Sequence, residues 1–477
     1  MSVLEAINQF VWGVPALILI IGVGIYLTVR TRCAQLMLFP KALRSFYRQF
    51  KGNPVKKDGV SPYQALCTAL AATVGTGNLA GVAGAIAIGG PGTIFWMWVC
   101  ALFGMVTKFA EATLAVRFRV RNREGDYIGG PMYIIRNGMG KKWAWLASVY
   151  CFFAVVASFG VGNATQINAV IGGINSVLQA FGGHTGRSVD LVIGVALAIL
   201  ITMILLGGAK RIGVIAEKLV PFASVAYLIL AVVVLVCRAQ AIPDAIRVII
   251  HGAFSPKAVT GGVLGSAFTA LRVGASRGVF TNEAGMGTAA IAHASAKVEH
   301  PVQQGLMGIM EVFLDTIVIC TMTALVILCS GVRIPYGTDT GVVLTTQAFR
   351  AVVGDWVCIP IALSLCCFAI ATILGWGLYG ARSAQYLFGE TAWRPFVYLQ
   401  AVMVVLGSVL GTGTVWMLSE IVNGLMAIPN LIALAWLSPE IAKLTNAFKK
   451  EPDRWSDSGY QDSSTRTGFP NSTSKSI

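Results

Sequence analysis

Two glycines one residue apart, Gly75 and Gly77, interrupt an apolar run long enough to cross a bilayer, SPYQALCTALAATVGTGNLAGVAGAIAI from Ser61 to Ile88. Each costs a helix interior about 1 kcal/mol, and Thr73, Thr76 and Asn78 bring side chains that compete for backbone hydrogen bonds. A helix broken here frees carbonyls that can ligate a cation and N–H groups that can hold a carboxylate. Close packing through small residues explains Gly77-Asn78-Leu79-Ala80-Gly81 in part, but asks for neither an asparagine nor two threonines at mid-membrane. A second irregular, Gly-rich stretch, Val263 to Ala296, carries Arg272, Arg277 and Glu283, which we take as a gating network near its cytoplasmic half. Asn163 and Gln166, spaced i,i+3, share a helix face. Lys108 and Glu111 have the same spacing and read as a self-neutralising pair. Glu311 and Asp315, at i,i+4, repel unless one is protonated or each has a partner. Asp315 is therefore a candidate for coupling a proton, with Arg272 or Arg277 as the structural alternative.

Such groups need a membrane around them, and the composition supplies one. Of 477 residues, 56% are hydrophobic and 12% charged, against about 25% charged in soluble domains. The chain therefore reads as an all-α polytopic membrane protein. Its net charge of +15 does not call for nucleic acid. Basic residues gathered on one side set topology and meet anionic lipid headgroups at the cytoplasmic face. The ten cysteines contain no CxxC pair and lie mostly in apolar runs, as small buried hydrophobes do. Met1 to Phe10 lacks a basic leader segment, so the apolar run after it reads as a retained helix.

Eleven transmembrane helices follow from the hydropathy. They begin near Val11, Ser61, Thr93, Trp143, Val189, Gly213, Val263, Gly305, Trp356, Phe396 and Thr414. With the N-terminus outside and the C-terminus inside, cytoplasmic segments hold 27 Lys and Arg and external ones 6. The organisation expected is an extra N-terminal helix and basic loop (1–60), a first group of five spans (61–237), an external segment (238–262), a second group of five (263–437) and a largely disordered cytoplasmic tail (438–477). The two groups enter the membrane from opposite sides, and each opens with a Gly-interrupted stretch. Paired broken helices in inverted halves point to the midplane site of a secondary transporter.

Three strings make a family resemblance specific. Gly89-Gly90-Pro91-Gly92-Thr93-Ile94-Phe95-Trp96-Met97-Trp98-Val99 resembles the signature of the sodium:alanine (alanine or glycine:cation) symporter family, with Thr93 where Gly or Ala is usual. Arg277-Gly278-Val279-Phe280-Thr281-Asn282-Glu283-Ala284-Gly285-Met286-Gly287 and Ala71 to Asn78 are similar to further hallmarks of that family, and the likeness runs from about Ala6 to Leu444. It implies a LeuT-like fold of inverted five-helix repeats after one extra helix, a multi-pass plasma membrane protein, bacterial inner membrane included. It also implies cotransport of sodium, or a proton, with a small neutral amino acid such as alanine, glycine or glutamine. On that footing Thr76, Gly77 and Asn78 hold the substrate carboxylate, Gln166 is a further ligand, and Phe280 and Trp376 are walls. The Ala72 and Gly75 carbonyls and the Thr372 hydroxyl become the sodium ligands. No cofactor other than the coupling ion is expected.

Other chemistries find less support. Gly274-Ala275-Ser276-Arg277-Gly278 matches a nucleophile-elbow string but lacks the strand and sheet that make one. Gly75-x-Gly77 has no correctly placed third glycine and no βαβ unit. The four histidines show no metal-ligand spacing. A passive channel would need a continuous polar stripe, whereas the polar residues cluster at mid-depth.

Overall fold

A computed structural model describes residues 7, 11–51, 59–180, 182–254, 267–338, 341–409 and 413–450. The expected disorder of the tail beyond Lys450, the turn at Gly411-Thr412 and the start of the stretch from Val263 lie outside these residues. Among the described residues the fold is a helical bundle with one small sheet, the antiparallel hairpin β1 (Val120–Arg121) and β2 (Tyr127–Ile128). Seven described helices are long and apolar enough to cross a membrane, or nine if each of two bent pairs counts as one span.

After α1 (Val14–Arg30) and α2 (Phe39–Phe50), the broken second span is α3 (Pro62–Thr73) followed by α4 (Val82–Gly89), bent by 52°. Its start is set by a capping box, in which the Ser61 hydroxyl accepts from the Gln64 N–H while Gln64 accepts from the Ser61 N–H. Its break comes where Val74 turns extended (φ −77°, ψ 103°) and Gly77–Gly81 form a π-helical turn. The return helix α5 (Thr93–Arg117) is the bundle's axis, with 83% of its apolar window buried. α6 (Ala144–Phe159) and α7 (Thr165–Ala180) flank a π-helical turn at Gly160–Ala164. α8 (Arg187–Leu205) and α9 (Gly208–Cys237) are peripheral, and only 28% and 33% of their apolar windows are buried. Their exposed Val, Ile, Leu and Phe side chains form a surface suited to acyl chains.

The second broken stretch is α11 (Ala267–Asn282) and α12 (Thr288–His293), with α10 (Ile242–Phe254) before it. At the break Glu283 takes a positive φ of 52° and Gly287 one of 78°. A side chain at Gly287 would also run into Pro131 and Asn430. Glycine is therefore required there on two counts. The remaining helices are α13 (Pro301–Val312), α14 (Thr321–Cys329), α15 (Val342–Val353), α16 (Cys358–Phe388), α17 (Trp393–Val409), α18 (Gly413–Trp436) and α19 (Ser438–Lys450). A π-helical segment, Phe313–Cys320, joins α13 to α14.

The expected external segments are more structured than their sequence suggests. α10 and α15 are helices lying between spans, where loops were expected. Both are shorter than a bilayer crossing requires. They bury Ala245 and Ile249, or Leu344 and Phe349, through tertiary packing.

Candidate functional site

At the first break the Gly75 N–H does not reach the Ala71 carbonyl as a helix would have it. It donates instead to Asn78 Oδ1 at 2.9 Å. The Asn78 amide nitrogen donates onward to Asp315 Oδ1 at 2.7 Å and lies 3.3 Å from the Asp315 carbonyl. Asn78 is wholly buried and thus bridges the break to the π-helical turn of the eighth span. Thr76 Oγ1 donates to Gln166 Oε1 at 3.2 Å, which brings the fourth span to the same break. α16 arrives from another side: a methyl placed on Gly75 would lie 2.8 Å from Thr372 Oγ1 and 3.9 Å from Gln166 Oε1. One placed on Gly375 would meet Ala72 at 2.9 Å. A methyl on Gly77 would lie 3.5 Å from Thr281 Cγ2 and 4.0 Å from Phe280 Cδ1, so the two broken segments run side by side.

Ala72, Gly75, Thr76, Gly77, Asn78, Gln166, Phe280 and Thr372 are therefore brought together around one interrupted backbone. Trp376 stands slightly apart. It packs on Gly162, whose missing Cβ leaves room for it, and donates from Nε1 to Glu283 Oε1 at 3.1 Å. Thr372 Oγ1 donates to the Phe368 carbonyl at 3.0 Å, the ordinary back-bond of a helical threonine. Its remaining lone-pair capacity faces Gly75.

The second break is filled from within the protein. Glu111 Oε1 accepts from the Gly285 and Gly287 N–H groups, both at 3.0 Å, and from Asn430 Nδ2 at 2.7 Å. A carboxylate already sits where α12 opens, as helix N-termini favour. At the first break no carboxylate accepts directly from the backbone among the described residues; Asp315 reaches it through Asn78.

Several sequence expectations change. Lys108 pairs with Glu311 at 2.9 Å, not with Glu111, because Glu111 is turned to the second break. Glu311 also meets His293 Nε2 at 2.9 Å, and His293 Nδ1 takes a hydrogen bond from Gln304 at 2.6 Å. Asp315 is held by Asn78 and by the Thr316 hydroxyl at 2.8 Å, and neither Arg272 nor Arg277 is its partner. Glu311 and Asp315 thus face different neighbours. Asn163 does not share a face with Gln166: it donates to the Gln400 carbonyl at 2.9 Å. The π-helical turn at Gly160–Ala164 widens the coil, so i,i+3 spacing no longer brings side chains together. Arg272 and Arg277 line a cavity with Ile88, the far end of the second span from Val60 and the basic segments, and so lie outside the half first expected. Glu283 is at the break itself, its Oε2 accepting from Thr288 at 2.6 Å.

The end near Val60 is closed differently. Val60 bridges to Ala296 in parallel, and its carbonyl accepts from the Lys297 N–H at 2.9 Å. The Arg119 guanidinium stacks 3.7 Å from the Tyr127 ring centroid and donates to the carbonyls of Ala294 and Ala296. Neither contact was foreseen, since a hairpin of two-residue strands leaves almost no periodic signal.

A helical bundle in the membrane, with a helix interrupted among packed neighbours, is the arrangement that secondary transporters use. The chain belongs to the sodium:alanine symporter family, whose model matches residues 1–461. It is 41% identical over 457 residues to a sodium/alanine symporter of Methanococcus maripaludis, covering 94% of this chain and 97% of that one. In fold it is similar to MhsT crystallised with L-phenylalanine (TM-score 0.51, 14% identity, 80% of this chain and 97% of that one). It is also similar to Mhp1, a nucleobase-cation-symport-1 family transporter in a closed conformation (TM-score 0.52, 10% identity, 83% and 95%). The protein is a multi-pass plasma membrane transporter of an amino-acid symport family, not an enzyme.

Proposed function

We propose that this protein is a sodium-coupled symporter that imports a small neutral amino acid, alanine or glycine first and glutamine next, across a bacterial inner membrane. The observation that carries the reading is the break at Gly75, where Thr76 and Asn78 of the broken span meet Gln166 of α7 and Thr372 of α16. In this reading the N–H groups near Thr76, Gly77 and Asn78 take the substrate carboxylate. The carbonyls of Ala72 and Gly75 with the Thr372 hydroxyl take sodium. Gln166 is a polar ligand, and Phe280 and Trp376 are the walls that limit side-chain size. Sodium couples to substrate because both stabilise the same interrupted shape, so each raises the affinity of the other equally.

Alternating access follows from the two closures. The Val60–Ala296 bridge with Arg119 closes the cytoplasmic end; Arg272 and Arg277 belong to the external one. Glu283 links the second break to Trp376. The framework is eleven spans with the N-terminus outside and the C-terminus inside, arranged as inverted repeats after one extra helix. Anionic headgroups meet the basic cytoplasmic face.

A second reading, proton coupling, is favoured by Asp315. It is fully buried, its hydrogen-bond partners are the neutral Asn78 and Thr316, and it enters no ion pair among the described residues. The test is uptake of radiolabelled alanine into proteoliposomes, with the other amino acids as competitors. Under the first reading replacing sodium by choline abolishes uptake. Uptake that persists in choline and follows an imposed proton gradient instead selects the second.

A further inference from the structure

Helix α2 carries two parallel stripes. Leu43, Tyr47 and Phe50 recur at i, i+4 and i+7, and all three are exposed. Arg44, Arg48 and Lys51 repeat the same spacing one residue on, also exposed. An exposed apolar stripe beside a basic one is the pattern of a helix lying in the plane of a membrane interface. Aromatic contacts hold α2 to the bundle: Phe46 and Phe50 meet the Tyr63 ring of α3 at 6.2 and 6.1 Å, and Phe39 meets Phe313 edge-on at 4.9 Å. α19 reaches the same face, leaving α18 at an angle of 59°. Its Ser438 hydroxyl lies 2.9 Å from the Tyr26 hydroxyl of α1. Trp436 and Trp143 gather at that bend with ring centroids 5.8 Å apart, as aromatic residues do at a membrane boundary.

Between these helices α1 ends in a tight turn, where Arg32 and Cys33 take positive φ of 55° and 53°. Lys449 of α19 closes over it and donates to the Thr31 carbonyl at 3.3 Å, one residue from Arg32. Beside Lys449 in the chain is Phe448, and Lys41 of α2 stands 5.7 Å from its ring centroid. Partial burial, then repulsion from Arg32 and Lys41, hold the Lys449 ammonium below the ordinary lysine range. Neither segment has a carboxylate to spare. Arg30 to Lys57 contains no Asp or Glu, and Glu440, the one acid of α19, pairs with Arg117 at 2.9 Å. On the membrane side of Arg32, α1 exposes Ile18, Ile25 and Val29 along one face.

We propose that α1, α2 and α19 together form a site for one anionic phospholipid. Its phosphodiester lies among Arg32, Lys41 and Lys449, and an acyl chain runs along Val29, Ile25 and Ile18. A phosphate relieves the repulsion of three crowded cations, and the Arg32 guanidinium offers it two parallel donors. The apolar face selects a lipid over a soluble polyanion, which has no use for it. Each basic residue near an anionic surface is worth about fivefold in partition. The occupant sits one helix away from the start of the broken span, because α2 packs on Tyr63.

This inference deepens the reading that anionic headgroups meet the cytoplasmic face, and rests on that orientation. The test is native mass spectrometry of the purified full-length protein in detergent, titrated with phosphatidylglycerol or with phosphatidylcholine of the same chain length. The wild type is expected to hold one phosphatidylglycerol at least tenfold more tightly than phosphatidylcholine. Arg32→Gln/Lys41→Gln/Lys449→Gln is expected to lose that preference. Arg187→Gln/Arg238→Gln/Arg333→Gln, which removes as much charge from exposed residues elsewhere, keeps it. A thermal melt shows that each variant is folded. Should the first triple variant not fold, Arg32→Gln alone, at an exposed position, is expected to lose about fivefold. A wild type without the preference, or equal losses in the two triple variants, overturns the site. Inorganic phosphate that displaces the lipid better than chloride at equal ionic strength assigns the surface to a soluble anion and overturns it too. The orientation is read separately, by a membrane-impermeant maleimide on intact cells. The exposed Cys237 should label from outside and the exposed Cys33 only after permeabilisation. The reverse pattern overturns the cytoplasmic placement while leaving the measured lipid site in force.

Discussion

Asn78 Nδ2 lies 2.7 Å from Asp315 Oδ1, while Asn78 Oδ1 accepts from the Gly75 N–H at 2.9 Å. One buried amide therefore ties the open backbone of the second span to a carboxylate on the eighth. A shift of Asp315 would pass through this amide to Gly75, a direct link between the broken span and the segment that joins α13 to α14.

Replacing Asn78 by alanine removes both ends of that link. The Gly75 N–H is left without its acceptor and Asp315 loses a donor, at roughly 1–3 kcal/mol for a stranded buried polar group. The expected outcome is a lower melting temperature in detergent, with membrane insertion intact and alanine uptake abolished. Uptake at the wild-type rate would show that the break keeps its shape without Asn78.

Thr372 separates a ligand from a bystander. Thr372→Ser keeps the oxygen that faces Gly75 and should leave sodium dependence near normal. Thr372→Val keeps the shape but removes the oxygen. We expect it to raise the sodium concentration for half-maximal uptake about tenfold, or about 1.4 kcal/mol. Equal sodium dependence in the two variants would take Thr372 out of the ion site.

Gly162 tests the position of Trp376. A methyl at Gly162 overlaps the Trp376 side chain, so Gly162→Ala must displace the indole and break its hydrogen bond to Glu283. Overpacking of this kind costs about 1–3 kcal/mol. Loss of stability together with an altered tryptophan emission is expected, and a wild-type melting curve would contradict the packing described.

Lys108 and Glu311 form a fully buried ion pair. Lys108→Met leaves the Glu311 carboxylate with His293 as its remaining partner and should destabilise by roughly 3–5 kcal/mol. The double variant Lys108→Met/Glu311→Gln, with no charge left stranded, should recover part of that loss in a denaturation series. If the double variant is no more stable than the single one, the pair is not the source of the penalty.

Much of this was legible because a few residues conflict with their surroundings. Gly75, Gly77 and Asn78 are poor helix formers inside an apolar run, and that conflict located the break. The basic residues near Arg30–Lys57 and Arg117–Lys142 set the proposed orientation by density alone. What stayed hidden depends on distance in three dimensions. Glu111 reads as the neighbour of Lys108 on one helix face, yet its partners are Gly285, Gly287 and Asn430, far away in the chain. Asn163 reads as facing Gln166 only while the helix is regular, and a π-helical turn leaves no periodic mark in composition. The contacts of Trp12 with Phe280 and the Glu420 carbonyl likewise join residues far apart in the chain.

Central to the account is that one interrupted helix holds the ion and the zwitterion together. The most direct measurement is calorimetric titration of alanine at several fixed sodium concentrations, paired with sodium titration at several fixed alanine concentrations. The account predicts that sodium tightens alanine binding, that alanine tightens sodium binding by the same factor, and that Thr372→Val weakens both. Alanine affinity independent of sodium would contradict it.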